Sequence, residues 1–76
     1  MQTLDFNLDP GHDFVELNQL LKLVGLCDSG GAGKAMVARG GVSVDGAVEL
    51  RKTAKIRAGQ HVRVEDIQIG VHATAD

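Results

Sequence analysis

From Leu17 onward the apolar residues of this chain change their period once, at Gly40-Gly41. Before that point Leu17, Leu20, Leu21 and Val24 recur at i, i+3, i+4 and i+7, the stripe of a helix. After it Val62 and Val64, then Ile67, Ile69 and Val71, alternate with polar residues, the period of a half-buried strand. A chain of 76 residues has room for one core. Helices grouped together and followed by grouped strands indicate an α+β fold. The expectation is a single domain over 1–76. Two packed helices, in a helix-turn-helix arrangement, lie against a small, mostly antiparallel sheet.

Local signals place the elements. Leu4, Phe6 and Leu8 alternate with polar residues and predict a strand over 2–8, ended by Pro10-Gly11. Asp13 and Glu16 have the spacing of a capping box, so the first helix is expected over about 13–24, with Gly25 in the left-handed position past its end. Ser29 is a favourable N-cap for a second helix that Gly40 or Gly41 stops. Val42-Ser-Val44 and Ala47-Val48 flank Asp45-Gly46, the two positive-φ positions of a type I′ hairpin. Thr53 to Ile56 reads as a further strand, and Asp66 is expected near the turn between the last two. From about Ala73 no pattern remains and the tail is expected to fray.

Several chemistries are disfavoured. No apolar run approaches the ~18 residues of a membrane helix, and the first residues lack a basic stretch followed by an apolar one, so a cytoplasmic protein without a signal peptide is expected. One cysteine, Cys27, excludes an internal disulfide and a cysteine-rich zinc site. His12, His61 and His72 are far apart and lack metal-ligand spacing. Gly30-Gly-Ala-Gly-Lys34 resembles part of a phosphate loop, but Asp28 stands where its first glycine belongs and Ala35 where a magnesium-binding hydroxyl belongs. These glycines more simply admit close approach of another backbone or of a ligand phosphate. No nucleophile setting or carboxylate pair is evident, so no catalysis, metal or cofactor is expected.

The charges are segregated. The chain carries 8 Lys+Arg against 10 Asp+Glu, a balance that normally argues against nucleic acid. Yet residues 1–16 hold four acids and no base, residues 34–63 hold seven of the eight bases against two acids, and 64–76 hold three acids. Arg51, Lys52, Lys55 and Arg57 fall within seven residues directly after the hairpin, and Lys34 opens the second helix. Such a set fits phosphate oxygens. With no Tyr or Trp, base stacking is a poor candidate for the main mode. Recognition of the backbone and shape of folded RNA or a duplex fits better. A solvated surface run and a surface that docks an acidic protein partner are the competing readings.

In this order and spacing the motifs resemble the RNA-binding domain first named for the ribosomal small-subunit protein S-four. The resemblance covers about residues 14–65: helix, short turn, helix at Ser29, Gly40, Val42-Ser-Val44-Asp45-Gly46, a basic run, and Ala58-Gly59-Gln-His-Val62. It is most similar to the small stand-alone bacterial members, the YbcJ type, through Glu16 to Lys22, Val44 to Glu49, and Arg51-Lys52. The resemblance implies an αL-type fold whose helices and hairpin hold structured RNA; ribosomal or tRNA-like RNA and a monomeric protein are expected, and ribosomal proteins could also contact it. It implies roles for Ser29 and Lys34 at the second helix, Asp45-Gly46 at the hairpin tip, and Arg51, Lys52 and Lys55 after it; Gly30 and Arg57, beside these positions, complete the expected RNA-binding set. Two departures stand out: Gly30 replaces the Arg that many members carry after the serine, and Asp13 and Glu16 stand where many have a base. Both shift the weight onto Arg51, Lys52 and Lys55.

Overall fold

The computed structural model describes residues 2–74. Its elements are β1 (Gln2–Asn7), β2 (Phe14–Glu16), α1 (Leu17–Leu23), α2 (Gly30–Ala38), β3 (Val42–Val44), β4 (Ala47–Val48), β5 (Lys55–Arg57), β6 (His61–Val64) and β7 (Ile67–His72). Five strands form one sheet in the order β1-β7-β6-β3-β4, and β2 pairs with β5 in a separate ribbon. All pairings are antiparallel except β1 with β7. The fold is α+β, with two helices packed against this mixed sheet.

Side-chain alternation gives the large sheet two faces. Val42, Val62, Val64, Ile69 and Val71 are buried on one, beneath Leu17, Leu20 and Leu21 of α1 and Val37 of α2. A seven-residue helix has no independent stability, so α1 exists because its three leucines are fully buried. The opposite face carries Ser43, His61, Arg63 and Gln68.

The first helix starts later than its sequence predicts. Phe14–Glu16 is a strand, Glu16 is the N-cap in extended conformation, and no side chain caps α1. The capping box of Asp13 and Glu16 does not form because a distant partner outcompetes it. Phe14, Val15 and Glu16 pair with Arg57, Ile56 and Lys55. The amides of Leu17 and Asn18 then donate to the carbonyls of Ala54 (2.9 Å) and Lys52 (3.2 Å). Backbone from 52–54 thus does the work expected of Asp13. For the same reason the strand expected over Thr53 to Ile56 begins at Lys55: Ala54 turns inward, its N–H on Arg51 and its C=O on α1. That strand also leaves the main sheet for the ribbon with β2.

Other expectations hold with small changes of boundary. Asp45 (φ 50°) and Gly46 (φ 88°) form the hairpin turn, and Glu65 turns the chain between β6 and β7. Ala73 and Thr74 continue no strand, but Thr74 is not free, since its hydroxyl donates to the Leu8 carbonyl. The rest of the expected tail, 75–76, lies outside the described residues.

Candidate nucleic-acid interface

The interface is organised around the first turn of α1. Ser29 caps α2: its extended backbone (φ −154°) lets the hydroxyl oxygen accept from the Ala32 amide at 3.1 Å. The glycines that follow have different jobs. A Cβ at Gly33 would lie 2.6 Å from the carbonyl oxygen of Asn18, and one at Gly30 would lie 3.0 Å from Nε2 of Gln19, whereas Gly31 meets only the Ser29 hydroxyl at 3.8 Å. Gly30 and Gly33 therefore serve close approach of α2 to α1. Asn18 Nδ2 also donates to the Gly30 carbonyl at 3.4 Å. One residue, Asn18, thus holds the start of α2 through its side chain and the Lys52 carbonyl through its amide. Lys34 is exposed next to Gly33, in the α2 turn seated on Asn18.

The basic segment is ordered on both sides of this junction. Arg51, Lys52, Lys55 and Arg57 are all exposed, while Ala54 and Ile56 between them are buried and anchor the segment. Arg51, Thr53, Ala54 and Lys55 line a shallow depression. Lys55 Nζ lies 5.0 Å, and Arg57 Cζ 5.8 Å, from the centre of the Phe14 ring, which supports both cations through its negative face.

Two acids modify the picture drawn from the charge run. Glu49 grips Arg51: Oε1 accepts from NH2 at 2.9 Å, and Oε2 accepts from Nε at 3.1 Å and from the Arg51 amide at 3.0 Å. These hydrogen bonds hold the Glu49 carboxyl down at about 2. The Arg51 side chain is still 80% exposed. Asp45, though exposed, is engaged by its neighbours. Its Oδ1 accepts from the His61 amide at 2.9 Å and its Oδ2 from Gln60 Nε2 at 3.2 Å, which lowers its pKa. Gln60 Oε1 in turn accepts from the Arg57 amide at 2.7 Å. The hairpin tip is thereby tied to the basic strand β5.

Sequence reasoning missed Phe14 and Glu49. The alternation of Lys55 and Arg57 was the available signal for a strand face that needs a support. Nothing local pointed to Phe14, 41 and 43 positions earlier. Glu49 sits two residues before Arg51, close enough for its carboxylate to reach both the amide and the guanidinium of Arg51.

The geometry defines an α+β domain in which a basic loop caps one helix and that helix packs against the start of another. The chain belongs to the S4 domain family, whose family model matches residues 8–72. YbcJ of Escherichia coli strain K12 is 57% identical over 51 residues, covering 67% of this chain and 73% of that protein. YbcJ of Shigella flexneri is similar to the same extent. The solution structure of the E. coli protein, described as revealing an αL motif involved in RNA-binding, superposes with a TM-score of 0.66 at 45% identity. That match covers 96% of this chain and 89% of the other.

Proposed function

We propose that this protein is a non-catalytic RNA-binding domain that holds structured RNA, ribosomal or tRNA-like, in the cytoplasm and as a monomer. Lys34, Arg51, Lys52, Lys55 and Arg57 contact phosphates, and the Ser29–Gly30 turn and the Asp45-Gly46 tip flank them. The observation that carries this reading is Asn18. It ties the Lys52 backbone and the first turn of α2 to one point, so bases 18 residues apart in sequence share a frame. Family membership and the RNA-binding described for the E. coli relative support it. Phosphates suit the site because guanidinium and ammonium groups stand on a rigid, half-apolar base, and the ring of Phe14 is covered rather than open for base stacking.

The test is direct binding of purified protein to a transfer RNA and to an unstructured RNA of equal length. Tighter binding of the folded RNA, lost in an Arg51/Lys52/Lys55→Ala variant, is expected. Equal binding of both RNAs, or a variant that binds like wild type, overturns the reading.

A second reading rests on Val48 and Leu50. Each is 61% exposed beside the basic segment, a mixed apolar and cationic surface that suits an acidic protein partner on the ribosome. Co-purification that survives ribonuclease favours this reading over the first.

A further inference from the structure

The RNA site proposed above lies around the helices and the basic segment. The outer face of the five-stranded sheet holds a second polar concavity, lined by Ser43, Gly46, His61, Arg63 and Gln68. Its centre is a cross-strand row: Ser43 pairs with Arg63, and Arg63 with Gln68. Neighbouring strands lie ~4.8 Å apart, so a hydroxyl and an amide flank the guanidinium on either side. His61 stands two residues along the same strand and therefore on the same face.

Arg63 is positioned rather than loose. Its Nε donates to the Glu65 carbonyl at 3.1 Å, and no carboxylate pairs with its terminal nitrogens among the described residues. That contrasts with Arg51, which Glu49 grips. Glu65, two residues on, meets Arg63 through its backbone carbonyl, and Asp45 at the hairpin is already taken up by the His61 amide and Gln60. The cleft thus presents an oriented, unpaired cation with neutral donors beside it, the donor set of an oxyanion site. Gly46 forms part of its wall and is also the hairpin tip that borders the basic segment.

We infer that this cleft binds a backbone phosphate of the same RNA, with Arg63 as its main contact and Ser43 and Gln68 as neutral donors. The RNA passes over Gly46, which carries no side chain, from the basic segment onto the sheet. This extends the proposed function and rests on it.

The experiment is transfer RNA binding across salt for wild type, Arg63→Gln and Arg39→Gln. The second variant removes the same charge at the far end of α2, outside the proposed surface. Both positions are exposed, so both variants are expected to fold. Arg63→Gln should lower the salt slope by about 1 and the affinity about tenfold near 0.1 M salt, as one lost phosphate contact requires. Arg39→Gln should leave the slope unchanged. Amide signals of Ser43 and Gln68 should shift with the RNA, and weakly with inorganic phosphate alone. If the two variants behave alike while the Arg51/Lys52/Lys55→Ala variant still loses binding, the outer-face site is wrong and the RNA reading stands. If wild type binds no RNA, both fall.

Discussion

Gly33→Ala is the most informative single change to the frame of the site. The new Cβ would stand 2.6 Å from the Asn18 carbonyl oxygen, 3.1 Å from its Cα and 3.2 Å from its carbonyl carbon. All three are backbone atoms of α1, so no rotamer relieves the clash. The helices must part by roughly 0.8 Å, the distance from 2.6 Å to the 3.4 Å at which ordinary contact begins. Leu17, Leu20, Leu21 and Val37 are fully buried between and beneath these helices. A gap of that size forfeits about a quarter to a half of each contact that faces it, and overpacking of this kind costs ~1–3 kcal/mol. Replacing a helical glycine by alanine returns up to ~1 kcal/mol.

Gly31→Ala is the matched control, because its Cβ meets nothing closer than 3.8 Å and should only stabilise. The two alanine variants should therefore differ by ~1–3 kcal/mol, with Gly33→Ala the weaker. Urea titration at constant slope measures this directly. In a thermal scan the gap is at least ~4 °C for a domain of this size. Because Asn18 also holds the Lys52 carbonyl, Gly33→Ala should weaken RNA binding and Gly31→Ala should not. A Gly33→Ala protein as stable as Gly31→Ala would refute the argument that backbone contact at Asn18 sets the distance between the helices.

Further outcomes follow from the charge arrangement. Glu49→Gln should raise affinity for RNA several-fold, since Arg51 is then relieved of its internal counter-ion. Wild type should not approach that affinity at any pH from 4 to 8, because the Glu49 carboxyl titrates near 2. Its folded value lies below the ordinary 4.5, so the pair stabilises the fold above that pH and its contribution fades as pH falls toward 2. Asp45→Asn and Gln60→Ala should each destabilise the fold and combine less than additively in a double-mutant cycle, since both weaken one relay to Arg57. Cys27 should react slowly with a thiol reagent at neutral pH, because burial and Asp28 push its thiol up against the opposing influence of Arg39. Fast labelling would contradict this reading of its surroundings.

The sequence was most legible where the decisive contact is local. Asp45-Gly46 needs only its own two positive φ angles, and Ser29 reaches an amide three residues on, so the hairpin and the second helix could be read directly. The start of the first helix could not. Asp13 and Glu16 spell a capping box, but the carbonyls that cap α1 belong to Lys52 and Ala54, and Phe14 is drawn into pairing with Arg57. Gly31 and Gly33 look interchangeable in the sequence and differ only in what Asn18 places opposite them. The basic run was visible as a composition. Its electrostatics were not, because a sequence does not show that Glu49 folds back on Arg51 or that Asp45 is occupied by Gln60 and His61.

The central claim is that a small set of fixed cations neutralises RNA phosphates, and counterion release counts them. Binding of transfer RNA from low to moderate salt, with five phosphate contacts, should give a plot of log affinity against log salt with a slope of roughly −3.5 to −4.5. The Arg51/Lys52/Lys55→Ala variant should fall to about −1 to −2. A wild-type slope near zero, or an unchanged slope in the triple variant, would contradict the account.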